Sequence, residues 1–208
     1  IKYIEYIDSS KLNDFDFGSY KRVAKLYPSH VIFFLNSHSY PIKKNWLKII
    51  LKHYRNNTIL GTTASYESAF SSLRLKKFYK IISYMFRFYK FKNTFKAFPN
   101  PHIRTSSFLI KGSDFISFIK NKKINNKEDA WSIESGLNGL TNFFKKKKYN
   151  IFVVNSDGVK FTENSWKLSE TYIYLKQSKS LISDKHSRKY LKLSARDKLY
   201  SSNISWGE

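Results

Sequence analysis

VIFFLNSHSYPIKKNWL, residues 31 to 47, opens with five apolar residues in a row and then changes character. Val31, Ile32, Phe33, Phe34 and Leu35 have the unbroken apolar pattern of a strand covered on both faces, as in a parallel sheet. Asn36, Ser37, His38 and Ser39 follow, then Pro41. After them comes a helical pattern that sets Leu47, Ile50, Leu51 and Tyr54 on one side. A buried strand, a small polar loop and a helix form the repeating unit of α/β folds. Ligands in open α/β sheets bind beyond the carboxyl ends of strands, which makes Asn36 to Ser39 the first candidates for a functional site.

The same alternation runs outward in both directions. Upstream, residues 2–7 read as a strand and 8–17 as a loop rich in Asp, Ser and Asn. Residues 18–27 then read as a helix, with Tyr20, Val23, Ala24 and Tyr27 on one side and Pro28 as its stop. Downstream, residues 58–64 form a strand candidate in which Gly61 permits close approach. Another strand is expected over 106–110, followed by a helix capped by Ser113 that turns Phe115, Ile116 and Ile119 inward. A helix over 132–144 buries Ile133, Leu137, Leu140 and Phe144, and Lys145 to Lys148 close it at the negative end of its dipole. Tyr149 to Val154 returns as a strand and ends at the turn Asp157-Gly158. Residues 1–158 therefore read as one α/β domain. Residues 159–208, with a single helix candidate over 184–200, read as a C-terminal extension packed on it.

Aromatic residues make up 18% of the 208-residue chain, enough apolar mass for a sizeable core. No apolar run approaches the roughly 18 to 20 residues of a membrane span, and no signal peptide is visible. The absence of cysteine excludes disulfides and thiolate metal sites and suits a cytoplasmic protein. Two causes account for the formal charge of +23. Lys, Asn, Ile, Phe and Tyr are enriched together, as in genomes whose codons favour A and T. The remainder points to an anionic partner, either a nucleotide diphosphate or a lipid surface. Residues 71–97 concentrate this character: Leu75, Phe78, Tyr79, Ile82, Met85, Phe86 and Tyr89 form an apolar stripe at helical spacing. Arg74, Lys76, Lys77, Lys80, Arg87 and Lys90 supply the other side. Such a segment either packs on the sheet with a solvated lysine face or lies in an anionic membrane interface, which would place the protein on the inner face of the cell membrane.

Four stretches, in order, resemble one group of bacterial family 2-like glycosyltransferases. They are GSYKRVAKLYPSHVIFFLNSHSYPIKKNWL, NPHIRTSSFLIKGSDF, ESGLNGL with IFVVNSDG, and SDKHSRKY with the terminal ISWG. The resemblance implies a GT-A-like α/β fold, a mostly parallel sheet flanked by helices. It also implies inverting transfer of a sugar from a nucleotide-diphospho-sugar donor to a polysaccharide or lipid-linked glycan acceptor. The family's first strand and nucleotide-base loop have no counterpart, and the chain opens at Ile1, so an N-terminally truncated domain is expected. Where the family carries an Asp-x-Asp metal motif, this chain reads Asn36-Ser37-His38. A divalent cation, Mn²⁺ or Mg²⁺, would find His38 as its ligand there, and a lone imidazole with an amide is a poor site for a hard cation. Asn36, Ser37 and His38 are then expected beside the donor diphosphate. Arg104, a permanently charged fork, is expected to clamp that diphosphate or an anionic acceptor.

Glycosyl transfer also needs a base for the acceptor hydroxyl. If Ser132 caps the helix, Glu134 sits in its first turn, where the positive end of the dipole favours the carboxylate. By the resemblance, Glu134 takes the first position of an acidic pair and Ser135 stands at the second. Glu128 and Asp129, with His102, are candidates for the acceptor side, and His186 and Arg188 are weaker candidates for the phosphates. Two other classes compete. One is a catalytically inactive relative kept as a scaffold. The other is a nucleic-acid-binding module, suited by the charge and by Phe78-Tyr79 and Phe88-Tyr89, although helical spacing of those aromatics favours a core.

Overall fold

Period-two alternation along the strands sorts the side chains of a five-stranded sheet onto two covered faces. The computed structural model describes residues 5–7, 14–75 and 77–207. In chain order the strands are β1 (Val31–Leu35), β2 (Tyr40–Pro41), β3 (Thr58–Gly61), β4 (Ala64–Ser65), β5 (His102–Ile103), β6 (Ser107–Lys111), β7 (Asn150–Val154), β8 (Lys160–Phe161) and β9 (Ile182–Ser183). The helices are α1 (Phe15–Leu26), α2 (Trp46–Leu51), α3 (Ile81–Thr94), α4 (Gly112–Ile119), α5 (Lys127–Ser135), α6 (Leu140–Lys146), α7 (Lys185–Leu191) and α8 (Ala195–Trp206). On one face, Phe34, Phe108, Ile110, Ile59 and Val153 meet Tyr20 and Ala24 of α1, Phe115 and Ile119 of α4, and Leu140 and Phe144 of α6. On the other, Leu60, Leu109 and Val154 meet Ile50 of α2 and the Leu181-Ile182 pair.

The sheet is mixed rather than mostly parallel. Its order is β1-β6-β3-β7-β8, and only the β3–β7 pairing is parallel. The reversal comes from the antiparallel ribbon of β4 with β5, which turns the chain back after β3 so that β6 enters against it. β1 is thus an edge strand of the described sheet, with Ile32 and Phe34 packed on one face and Phe33 and Leu35 on the other. Phe34 alone is fully buried there, and Val31 is exposed. Residues 2–4 and 8–13 of the expected first strand and loop lie outside the described residues. Residues 5–7 carry no regular structure.

Several boundaries shift for local reasons. α1 begins at Phe15, inside the expected loop. α2 buries Ile50 and packs Trp46 and Ile49, leaving Leu47 and Leu51 exposed. Lys111 rather than Ser113 caps α4. The helix expected over 132–144 is two helices, because Gly136 and Gly139 both adopt extended backbone and break it. A Cβ on Gly136 would lie 2.5 Å from the Ser132 carbonyl oxygen. The segment from 159 onward packs on the rest of the chain and joins its sheets and core: β8 pairs with β7, β9 pairs with β2, and Trp166, Tyr172 and Trp206 enter the main core. Its single expected helix is divided into α7 and α8. No helix among the described residues is long and apolar enough to cross a membrane.

Candidate active site

Because β1 and β6 run antiparallel, the carboxyl end of one meets the amino end of the other. Two loops therefore deliver side chains to the same place. Asn36 and His38 follow β1, and Arg104, Thr105 and Ser106 precede β6, joined by the Asn36 N–H donating to the Ser106 carbonyl at 3.0 Å. The rest of a cleft of about 210 Å³ comes from the first turn of α1 (Phe15, Asp16, Phe17), from α5 and from Asp184, Lys185 and His186 at the start of α7. α5 contributes Lys127, Ala130, Trp131 and Glu134, spaced i, i+3, i+4, i+7 on one face.

Glu134 lies in the last turn of α5, not the first, because Asn126 caps the helix by accepting from the Asp129 N–H. The helix dipole therefore opposes a carboxylate there. What holds Glu134 is Thr105, whose backbone N–H and hydroxyl both donate to Oε1, at 2.8 and 3.0 Å. Oε2 takes no hydrogen bond among the described residues. Asp16 lines the same cleft. Burial raises the Asp16 pKa above the ordinary carboxylate range, His38 and Asn36 oppose the rise, and Glu134 adds to it.

Arg104 lies 3.5 Å from Asp184, with both side chains largely buried, and its guanidinium stacks 3.9 Å above the Tyr172 ring. Burial alone would push the Asp184 carboxyl up. Arg104, His186, and the Ser187 N–H and hydroxyl outweigh that and hold it below the usual range. The same burial pulls His186 down, with Arg104 adding to the effect against Asp184 and Glu134. Arg104 Nη1 and Asp184 Oδ2, which face each other in the ion pair, make no hydrogen bond among the described residues, and neither does the buried Ser106 Oγ. Buried polar atoms are seldom left so.

The structure brings together Asn36, His38, Arg104, Glu134 and His186 of the expected residues, and it removes others. Ser37 is exposed and does not line the cleft. Glu128 is held by Arg87 at 3.0 Å and Lys90 at 2.8 Å. Asp129 accepts from the Asn125 N–H at the start of α5. Arg188 does not line the cleft and donates to the His38 carbonyl at 3.0 Å, fixing the loop after β1. Asp16, Trp131 and Asp184 were not legible as site residues. Asp16 sits in a stretch that reads as a loop, and Asp184 reads as the first residue of a helix, which it caps.

His102 is buried beneath the cleft, its Nδ1 2.8 Å from the Asn100 carbonyl, and does not line it. Burial lowers its pKa, outweighing Glu134 and the Asn100 carbonyl, which raise it. The unfolded chain therefore binds the proton first as pH falls through about 6.5, and stability falls with it, by about 1.4 kcal/mol for each unit of depression. His102→Asn, which keeps a donor for Asn100, should lose less stability than the parent between about pH 7.5 and about pH 5.5 in urea unfolding. An equal loss would assign the acid sensitivity elsewhere, His186 first.

Among the described residues no three His, Cys, Asp or Glu side chains stand close enough to hold a metal ion. Asp16, Asn36 and His38 offer one carboxylate, one amide and one imidazole, which does not fit a hard divalent cation. Comparison with protein families, curated proteins and solved structures finds no match for this chain.

Proposed function

We propose that the chain is an inverting glycosyltransferase with a GT-A-like domain, moving a sugar from a nucleotide-diphospho-sugar to a hydroxyl of a polysaccharide or lipid-linked glycan. The observation that supports it is convergence: Asn36 with His38, Arg104, Glu134 and His186, from four separate stretches, line one cleft. In this reading Glu134 Oε2 takes the acceptor proton, the hydroxyl oxygen attacks the anomeric carbon, and the bond to the diphosphate breaks. Arg104, Lys127 and Lys185 offset the charge of the leaving nucleoside diphosphate, and Asp184 receives a donor hydroxyl. The half-buried Trp131 ring, with Lys127 5.5 Å from its centroid, offers a flat apolar face to a sugar.

A panel of UDP-, GDP- and dTDP-sugars, with and without Mn²⁺, tests the proposal by calorimetric binding and by release of nucleoside diphosphate. Saturable binding and turnover of one donor is the expected result. If a folded sample binds none of them, the cleft belongs to a binding or scaffolding subunit instead.

A further inference from the structure

Helix α3 is apolar on two opposite sides. Toward the body, Phe91 and Phe95 are buried and Tyr84 and Phe88 are half-buried, with Phe88 in ring contact with Phe70 at 5.3 Å. At 100° per residue, Ile82, Met85, Phe86 and Tyr89 fall on the far side. All four are exposed, Phe86 at 75% and Ile82 at 72%, and Phe78, in the 3-10 turn just before the helix, is exposed at 89%. An ordinary surface helix covers its apolar stripe, but the stripe read from the sequence (Leu75, Phe78, Tyr79, Ile82, Met85, Phe86 and Tyr89) is exposed throughout and does not pack on the sheet; other residues of the helix face the body.

The charge around this face has one sign. Residues 68–98 contain eight Lys and Arg and no Asp or Glu. Arg87 and Lys90 reach inward to Glu128. Lys77 and Lys80 flank the exposed Tyr79 ring at 5.6 and 5.9 Å. We propose that the outer face of α3, with the turn before it, is a docking surface for an anionic lipid bilayer. There Phe78, Ile82, Met85 and Phe86 enter the headgroup–acyl boundary, and the lysines meet lipid phosphates. Charge complementarity selects this occupant. A second copy of the chain would bring an equally basic patch against the first. The inference stands whether or not the cleft transfers sugar.

Vesicle co-sedimentation of the full chain tests it, with phosphatidylcholine vesicles against vesicles enriched in phosphatidylglycerol. Binding to the anionic vesicles alone is expected. It should fall about tenfold or more in Lys77→Glu/Lys80→Glu and again in Ile82→Ser/Phe86→Ser. All four positions are exposed, and circular dichroism verifies that the variants fold. Three results would overturn the inference. One is equal binding to neutral vesicles, and another is full binding by Ile82→Ser/Phe86→Ser. The third is absence of vesicle binding, including the case where that variant abolishes a concentration-dependent dimer or where the basic patch captures a single-stranded oligonucleotide instead.

Discussion

Glu134→Gln lowers the rate of sugar transfer by about 10² to 10⁴ and leaves the fold intact. Both halves follow from the contacts of the carboxylate. The Thr105 N–H and hydroxyl donate to Oε1, and a glutamine carbonyl oxygen in the same place accepts both. What changes is the second oxygen, which becomes an amide that cannot take a proton. Steady-state rates at saturating donor, beside a thermal melt, separate loss of chemistry from loss of structure. The informative control is Asp16→Asn. Asp16 is a second carboxylate of the cleft, beside Glu134 and the Arg104-paired Asp184, and its pKa is raised by burial, a feature that often accompanies proton transfer. Full activity in Glu134→Gln with loss in Asp16→Asn would move the base to Asp16. Full activity in both would remove both carboxylates from the base role and with them the main support for the mechanism proposed.

The sequence located this cleft better than it described the walls. Asn36 and His38, which the sequence sets in the loop beyond the carboxyl end of a strand, do line the cleft, although the sheet is mixed rather than mostly parallel. An apolar run of five residues looks the same in a central parallel strand and in an antiparallel edge strand, because both pack side chains on two faces, as Phe34 and Phe33 do here, and the run does not show which edges are hydrogen-bonded. Strand direction is set by the β4–β5 ribbon, a contact between residues 64–65 and 102–103 that local patterns do not carry. Glu134 reads as a first-turn residue, whereas it stands in the last turn of α5. The helix start was assigned to Ser132 when Asn126 caps it, six residues earlier. The glycines that split the long helix were visible in the sequence, as ESGLNGL, but were outweighed by apolar spacing across them. Asp184 was missed because one side chain does two things. It caps α7 through the Ser187 N–H at 2.7 Å and faces Arg104 in the cleft.

That double duty makes the Arg104–Asp184 pair the place where stability and ligand binding should come apart. Arg104→Met leaves Asp184 buried without its counter-charge and is expected to destabilise the fold by about 3–5 kcal/mol in urea unfolding. Asp184→Asn should cost less, because asparagine still caps α7 and Arg104 keeps its stack on Tyr172. In the double variant Arg104→Met/Asp184→Asn neither charge is stranded, so much of the loss should return. The pH dependence has a definite sign. Asp184 is held below the ordinary carboxylate range, so its contribution is present above the unfolded value and is lost as pH falls through the folded one. Asp184→Asn should lack that step. Arg104→Lys keeps the charge but not the planar fork or the ring stacking. It should therefore retain more stability than Arg104→Met while losing affinity for whichever donor the panel identifies. If Arg104→Met instead costs less than about 1 kcal/mol, the pair carries little of the fold. The two buried charges would then be expected to act on a bound donor rather than on the fold, since a buried charge with no structural role persists only where something bound offsets its desolvation.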